Sequence, residues 1–197
     1  MVLIVSVDLN TRKFDRWLSQ APRKQVPFAI AKSLTMTAQD AQKEIKRELL
    51  LRFTIRNRHV PRGIRIKAAT KRRPIAEVGS IDAFMKLQET GGVKKPRRSR
   101  RLAIPTRQVR RTKTGRVRKA QRPRQLLNRK NVFEARSRKG AVIFQRTRTG
   151  LKALYILRPS AQIKPRFGLR STATKVAERR GQRNFVRAMA VAMRTAR

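Results

Sequence analysis

The sequence predicts an α+β fold: an antiparallel or mixed sheet packed by a long helix in the N-terminal half and a second helix at the C-terminus, with a basic arm leaving it midway. Three patterns lead there. Apolar residues recur every three or four positions from about Pro27 to Phe53 and again from about Ser171 onward, the period of a helix with one buried face. Short runs rich in Val, Ile and Leu, at 2–7, 64–69, 75–81, 141–145 and 151–157, read as strands. Between Arg107 and Arg129 no apolar period is sustained, while Lys and Arg crowd the chain. The length of 197 residues fits a single domain, 1–197, with a basic loop or arm at about 93–131, and leaves room for two small ones.

Taken in order, Val2 to Val7 is β-branched and apolar and leaves through the turn-like Asp8 to Thr11. Phe14, Trp17 and Leu18 fall at helical spacing between Thr11 and Ser19, where Trp17 is most simply a core anchor, since a single-strand binder usually supplies several aromatics for base stacking. The first long helix places Ile30, Leu34, Ala38, Ala41, Ile45 and Leu49 on one face, with small residues that let a neighbouring element approach closely. Residues 1–50 hold 9 basic and 5 acidic side chains, so this first quarter of the chain looks built for packing, on its own sheet or on a neighbouring subunit. His59, the only histidine, sits in a basic loop with no cluster of further ligands nearby, which argues against a metal or catalytic role.

The strands 64–69 and 75–81 are joined by a Lys71-Arg72-Arg73-Pro74 turn. Gln125-Leu-Leu-Asn opens a short helix, and 141–145 and 151–157 form a hairpin through Arg146 to Gly150. Ser160 to Pro165 is extended, Phe167 and Leu169 dock on the sheet, and Gly181 is a point at which the last helix can bend.

Charge dominates the composition. Lys and Arg number 53 against 10 Asp and Glu, a formal net charge of +43. Self-repulsion on that scale disfavours an isolated compact monomer at low salt, so a polyanionic or acidic partner is the natural physical resolution. The 36 Arg outnumber the 17 Lys, and the guanidinium fork binds phosphate or carboxylate oxygens bidentately. Residues 91–150 concentrate the effect, with 22 basic side chains and one acid, Glu134. Cysteine is absent, which removes disulfides and thiolate metal sites. No stretch approaches a membrane span and the opening apolar run lacks a basic n-region, so a protein soluble in the cytoplasm where it is made is expected.

The segment Asp82 to Thr106 joins these parts. It begins as a helical turn with Phe84, Met85 and Leu87 apolar, stops at Gly91-Gly92, passes through a basic turn with Pro96, and reads at Leu102-Ala-Ile as a short buried strand closed by Pro105. This order, a short helix, Glu-Thr-Gly-Gly, a basic turn and Leu-Ala-Ile-Pro, resembles the tail completion proteins of long-tailed bacteriophages, the group that includes minor tail protein Z. The likeness extends more loosely from about Gln25 to the C-terminus, through Thr54-Ile-Arg-Asn-Arg and Ile163-Lys-Pro-Arg-Phe-Gly-Leu-Arg. It implies a virion protein of the joint between the DNA-filled head and the tail, a homo-oligomeric ring bound to portal or adaptor proteins and to tail-tube or tail terminator proteins, with packaged DNA as a further neighbour and no membrane.

The residues themselves point away from catalysis: the carboxylates are scattered, and neither a phosphate loop nor a nucleophile motif occurs, so neither cofactor nor metal is expected. Two functions remain. One is the structural joint protein, whose cations face DNA or acidic walls of neighbouring rings. The other is a non-catalytic nucleic-acid-binding protein of ribosomal or chromatin-like type, which composition alone favours. Against it stand the absence of helix-turn-helix, zinc-ligand and RNA-recognition signatures and the internal position of the densest basic tract. In either case the candidate contacts are Lys94, Lys95, Arg97, Arg98, Arg100 and Arg101 in the loop after Gly91-Gly92. The arm adds Arg107, Arg110, Arg111, Lys113, Arg116, Arg118 and Lys119.

Overall fold

The computed structural model describes residues 3–7, 25–137 and 140–195 and has the α+β character that the periodicities predict. The short helix expected between Thr11 and Ser19, with Trp17, lies outside the described residues. Where the sequence reading groups the chain as one domain with an arm, the contacts divide it into two compact units, 1–90 with 165–197, and 91–164.

The first unit holds an antiparallel sheet of β1 (Leu3–Val7), β3 (Ala76–Ser80) and β2 (Ile64–Lys67), with β3 in the centre and Val78 opposite both Val5 and Ile66. Helix α1 (Val26–Arg52) starts with Pro27 in its first turn, where the missing N–H has no intrahelical partner to lose. Its 27 residues span about 40 Å at 1.5 Å per residue. The face predicted for packing is the buried face. Leu34 and Ala38 pack with Ala76, and Ile30 lies against them. Ala41, Ile45 and Leu49 join Ile64, Val78, Met85, Phe167 and Leu169.

The last helix, α5 (Leu169–Arg194), makes the most extensive contact with α1. Arg52 at the end of α1 reaches Phe167 O at 3.1 Å, while Asn184 reaches Thr37 and Asp40, so the two helices run antiparallel. Asn184 is buried, and its amide donates at 3.1 Å both to Thr37 Oγ1 and to Asp40 Oδ2. A buried amide left without such acceptors would cost stability, so this pair of bonds fixes the register of the two helices. The helix runs unbroken through the buried Gly181.

Two short helices, α2 (His59–Arg62) and α3 (Met85–Thr90), complete the first unit. Met85 is in the core, Phe84 is exposed, and Gly91 and Gly92 take φ values of 72° and 128°, the left-handed region that stops a helix at glycine. Gln88 O accepts from the N–H groups of Arg166 and Phe167 at 2.7 and 2.8 Å. The neighbouring Glu89 carboxylate accepts from Leu169 N at 2.8 Å and Arg170 N at 3.0 Å. Since the residue before α5 is Gly168, at φ 69° and without a side chain, Glu89 supplies from 80 positions upstream the cap that local sequence does not.

The second unit contains a two-stranded ladder, β4 (Gly92–Lys94) with β9 (Ala161–Ile163), and a four-stranded antiparallel sheet. Its order is β5 (Leu102–Pro105), β8 (Gly150–Arg158), β7 (Gly140–Thr147), β6 (Val132–Ser137). The predicted hairpin is β7–β8. Strand β6 has no counterpart in the sequence reading, because Val132-Phe-Glu-Ala-Arg mixes charge into a short run beside a basic tract.

Two expectations are corrected here. The strand at Leu102 is not buried: it is the end strand, with Ala103 and Ile104 exposed, and Pro105 lies within it. An end strand tolerates a proline because one of its edges has no ladder to break. Nor does 107–129 leave the fold as an extended arm. Val109 and α4 (Pro123–Leu127) fold over the sheet, with Val109 and Leu126 buried among Ile143, Leu154, Tyr155 and Leu157, and Val117 packed on the same cluster. Isolated apolar residues spaced eight or nine apart carry no helix or strand period, yet each supplies one anchor for a strap.

Candidate polyanion interface

Loop 95–101 connects β4 to β5, and its turn is held by Ser99, whose Oγ donates to Arg101 O at 2.8 Å. Lys94, Lys95, Arg97, Arg98, Arg100 and Arg101 are all exposed, which brings the first predicted set together on one short connection. Arg101 Nη1 lies 2.7 Å from Glu134 Oε1 on β6. Glu134 is the only acid in a unit that carries 25 Lys and Arg, so cations far outnumber carboxylates within it.

Beside this loop lies a groove of about 560 Å³. Lys94, Lys95, Arg97, Arg100 and Arg101 line it together with Leu102, Leu127, Ile143 and Leu157, and with Pro96 and Pro123. The apolar half of this site was not foreseen. Leu126-Leu127 was its only local signal, with Leu126 turned into the core and Leu127 left 43% exposed.

The second predicted set lies on the strap. Arg107, Arg110, Lys113, Arg116, Arg118 and Lys119 are exposed, but Arg111 is half-buried and has a structural task. It closes a tight turn by pairing with Val117, and its Nη1 donates to Gly115 O at 3.4 Å. The strap is tied down again where Tyr155 donates its hydroxyl to Gln121 O at 2.7 Å. Burial raises the Tyr155 phenol above its ordinary pKa, and the nearby positive charges of Arg111 and Arg122 partly offset the rise.

Six of the described acids of the first unit are engaged within it. Asp40 meets Arg180 at 3.3 Å, Glu44 meets Arg47, Glu48 meets Arg52, Glu77 meets Arg73, and Glu89 caps α5. His59 Nδ1 lies 3.5 Å from Asp82 Oδ1, a pair that ties α2 to the chain after β3. The six helix residues predicted for packing or oligomer contact are gathered in the chain's own core, so that face of α1 is already occupied. Among the described residues no helix is long and apolar enough to cross a membrane, and no group of three or more His, Asp or Glu is placed to hold a metal ion. No protein-family model, curated protein sequence or solved structure matches the chain.

Proposed function

We propose that this protein is a non-catalytic structural component of a bacteriophage head–tail joint, which forms a ring with copies of itself and links portal-side proteins to the tail tube. The observation that carries the reading is the partition of charge: the second unit holds 25 cations and one acid, and that acid is already engaged by Arg101. Such a unit needs a polyanionic partner to relieve its self-repulsion. The joint offers two, packaged DNA and acidic walls of neighbouring rings. The likeness of Glu89-Thr-Gly-Gly through Leu102-Ala-Ile-Pro to tail completion proteins supports the same assignment. A ribosomal or chromatin-like protein would carry comparable charge, but typically on tails that order on binding, whereas here the cations stand on a sheet, a loop and a strap with a buried core beneath them.

The test is genetic and structural. Deletion of the coding sequence from its phage should leave filled heads and finished tails that fail to form infectious particles, and supplying the wild-type chain should restore them. Normal particle yield and infectivity without the chain would overturn the assignment.

A further inference from the structure

The groove beside loop 95–101 distinguishes between the two polyanions. A surface that serves only phosphate needs cations and backbone N–H groups. This one also has an apolar floor. Ile143 and Leu157 form its buried base, Leu102 and Leu127 rise beside them, and cations from Lys94 to Arg101 stand on the rim. Nucleic acid makes poor use of such an aliphatic floor: the rim arginines and lysines can meet phosphate, guanine or carboxylate alike, but no aromatic ring lines the groove to stack a base.

The groove is an open concavity of about 560 Å³, large enough to receive partner side chains. Leu127, at 43% exposure, is an apolar residue that an aliphatic partner side chain would cover. The charge around it selects the flanking residues, because Glu134 is compensated by Arg101 and the other rim cations remain for incoming carboxylates.

We infer that this groove docks an acidic protein segment carrying aliphatic side chains, the aliphatics on the floor of Leu102, Leu127, Ile143 and Leu157 and the carboxylates on the Lys94–Arg101 rim. The inference rests on the second unit being the polyanion-binding module proposed above. It makes loop 95–101 a protein-docking element and leaves DNA, where it is bound, to cations elsewhere on the unit.

The test uses the full chain and three fluorescent probes: a short synthetic peptide of Glu and Asp carrying two Leu, the same peptide with Ser for Leu, and a short DNA duplex. The Leu peptide should bind on the order of tenfold tighter than the Ser peptide, because two aliphatic side chains leave water. Leu127→Ser should erase that difference and leave DNA binding unchanged. Ala103→Gln, which places an amide at another exposed lining position, should do the same without touching the core. Equal binding of the two peptides, or a loss in the Leu127→Ser and Ala103→Gln variants that falls on DNA as much as on peptide, overturns this inference and leaves the polyanion module standing. Failure of the wild-type chain to bind any of the three probes at low salt overturns both.

Discussion

Glu89 is the test of how the first unit closes on itself. Its carboxylate accepts from Leu169 N and Arg170 N, the first two amides of α5, which have no carbonyl partner within the helix. Glu89→Ala removes both acceptors and a negative charge from the positive end of the helix dipole. The site is only half-buried, so water reaches the released amides and the loss stays near that of an ordinary cap, about 1–2 kcal/mol. For a unit of between roughly 100 and 150 residues this lowers Tm by roughly 4–8 °C. Glu89→Gln keeps one carbonyl oxygen for one amide and should lose about half as much. The assay is thermal melting by far-UV circular dichroism, paired with hydrogen exchange at Leu169 and Arg170. Unchanged Tm, with both amides still protected in Glu89→Ala, would refute the long-range cap and leave Gln88 O and the packing of Met85 to join α3 to the chain entering α5.

The second unit yields two further predictions. Val109→Asp puts a charge at a position only 2% exposed, so it should release the strap, destabilise the unit by about 3 kcal/mol or more, and open the 107–121 region to limited proteolysis; the exposed neighbour change Arg110→Gln should do neither, and a protease-resistant Val109→Asp strap would show that the segment is not anchored there. Tyr155→Phe loses the hydrogen bond to Gln121 O and should cost about 1 kcal/mol at neutral pH in urea unfolding. The phenol's pKa is higher folded than unfolded, so its contribution to stability is whole below the unfolded value of about 10 and is lost as pH rises from there through the folded pKa. The gap between wild type and Tyr155→Phe should therefore narrow above about pH 10, and a gap that widens there would contradict the burial of the neutral phenol.

The fold was legible in the sequence wherever one period ran long enough to declare itself. Helix α1 announces its buried face through Leu34, Ala38, Ala41, Ile45 and Leu49, and the β7–β8 hairpin announces itself through two apolar runs about a turn. The Gly91-Gly92 stop was legible because only glycine accepts those φ values readily. What escaped was decided by tertiary contact. Val109, Val117 and Leu126 each stand alone among cations, and their joint burial exists only once the sheet is present to receive them. The groove escaped for the same reason, since Leu102, Leu127, Ile143 and Leu157 come from four separate elements. Glu89 was visible as part of Glu-Thr-Gly-Gly, but its partners lie 80 positions away and no local rule links them. The cations were the reverse case: their number was plain, whereas their placement on a folded unit was not.

The central claim is that the cation-rich second unit is a polyanion-binding surface in which loop 95–101 takes part, and the most direct measurement is binding of a DNA duplex by the full chain across a salt series. The wild-type chain should lose affinity steeply, with log K falling by about 0.9 per phosphate neutralised for each unit of log salt. Replacing Lys94, Lys95, Arg97, Arg98, Arg100 and Arg101 together by Gln should lower low-salt polyanion affinity. The loss should fall on acidic-peptide capture, while the salt slope for DNA, set by cations elsewhere on the unit, should stay close to that of the wild type. Failure of the wild type to bind either DNA or the acidic peptide at low salt, or acidic-peptide affinity that survives the six replacements, would contradict the account.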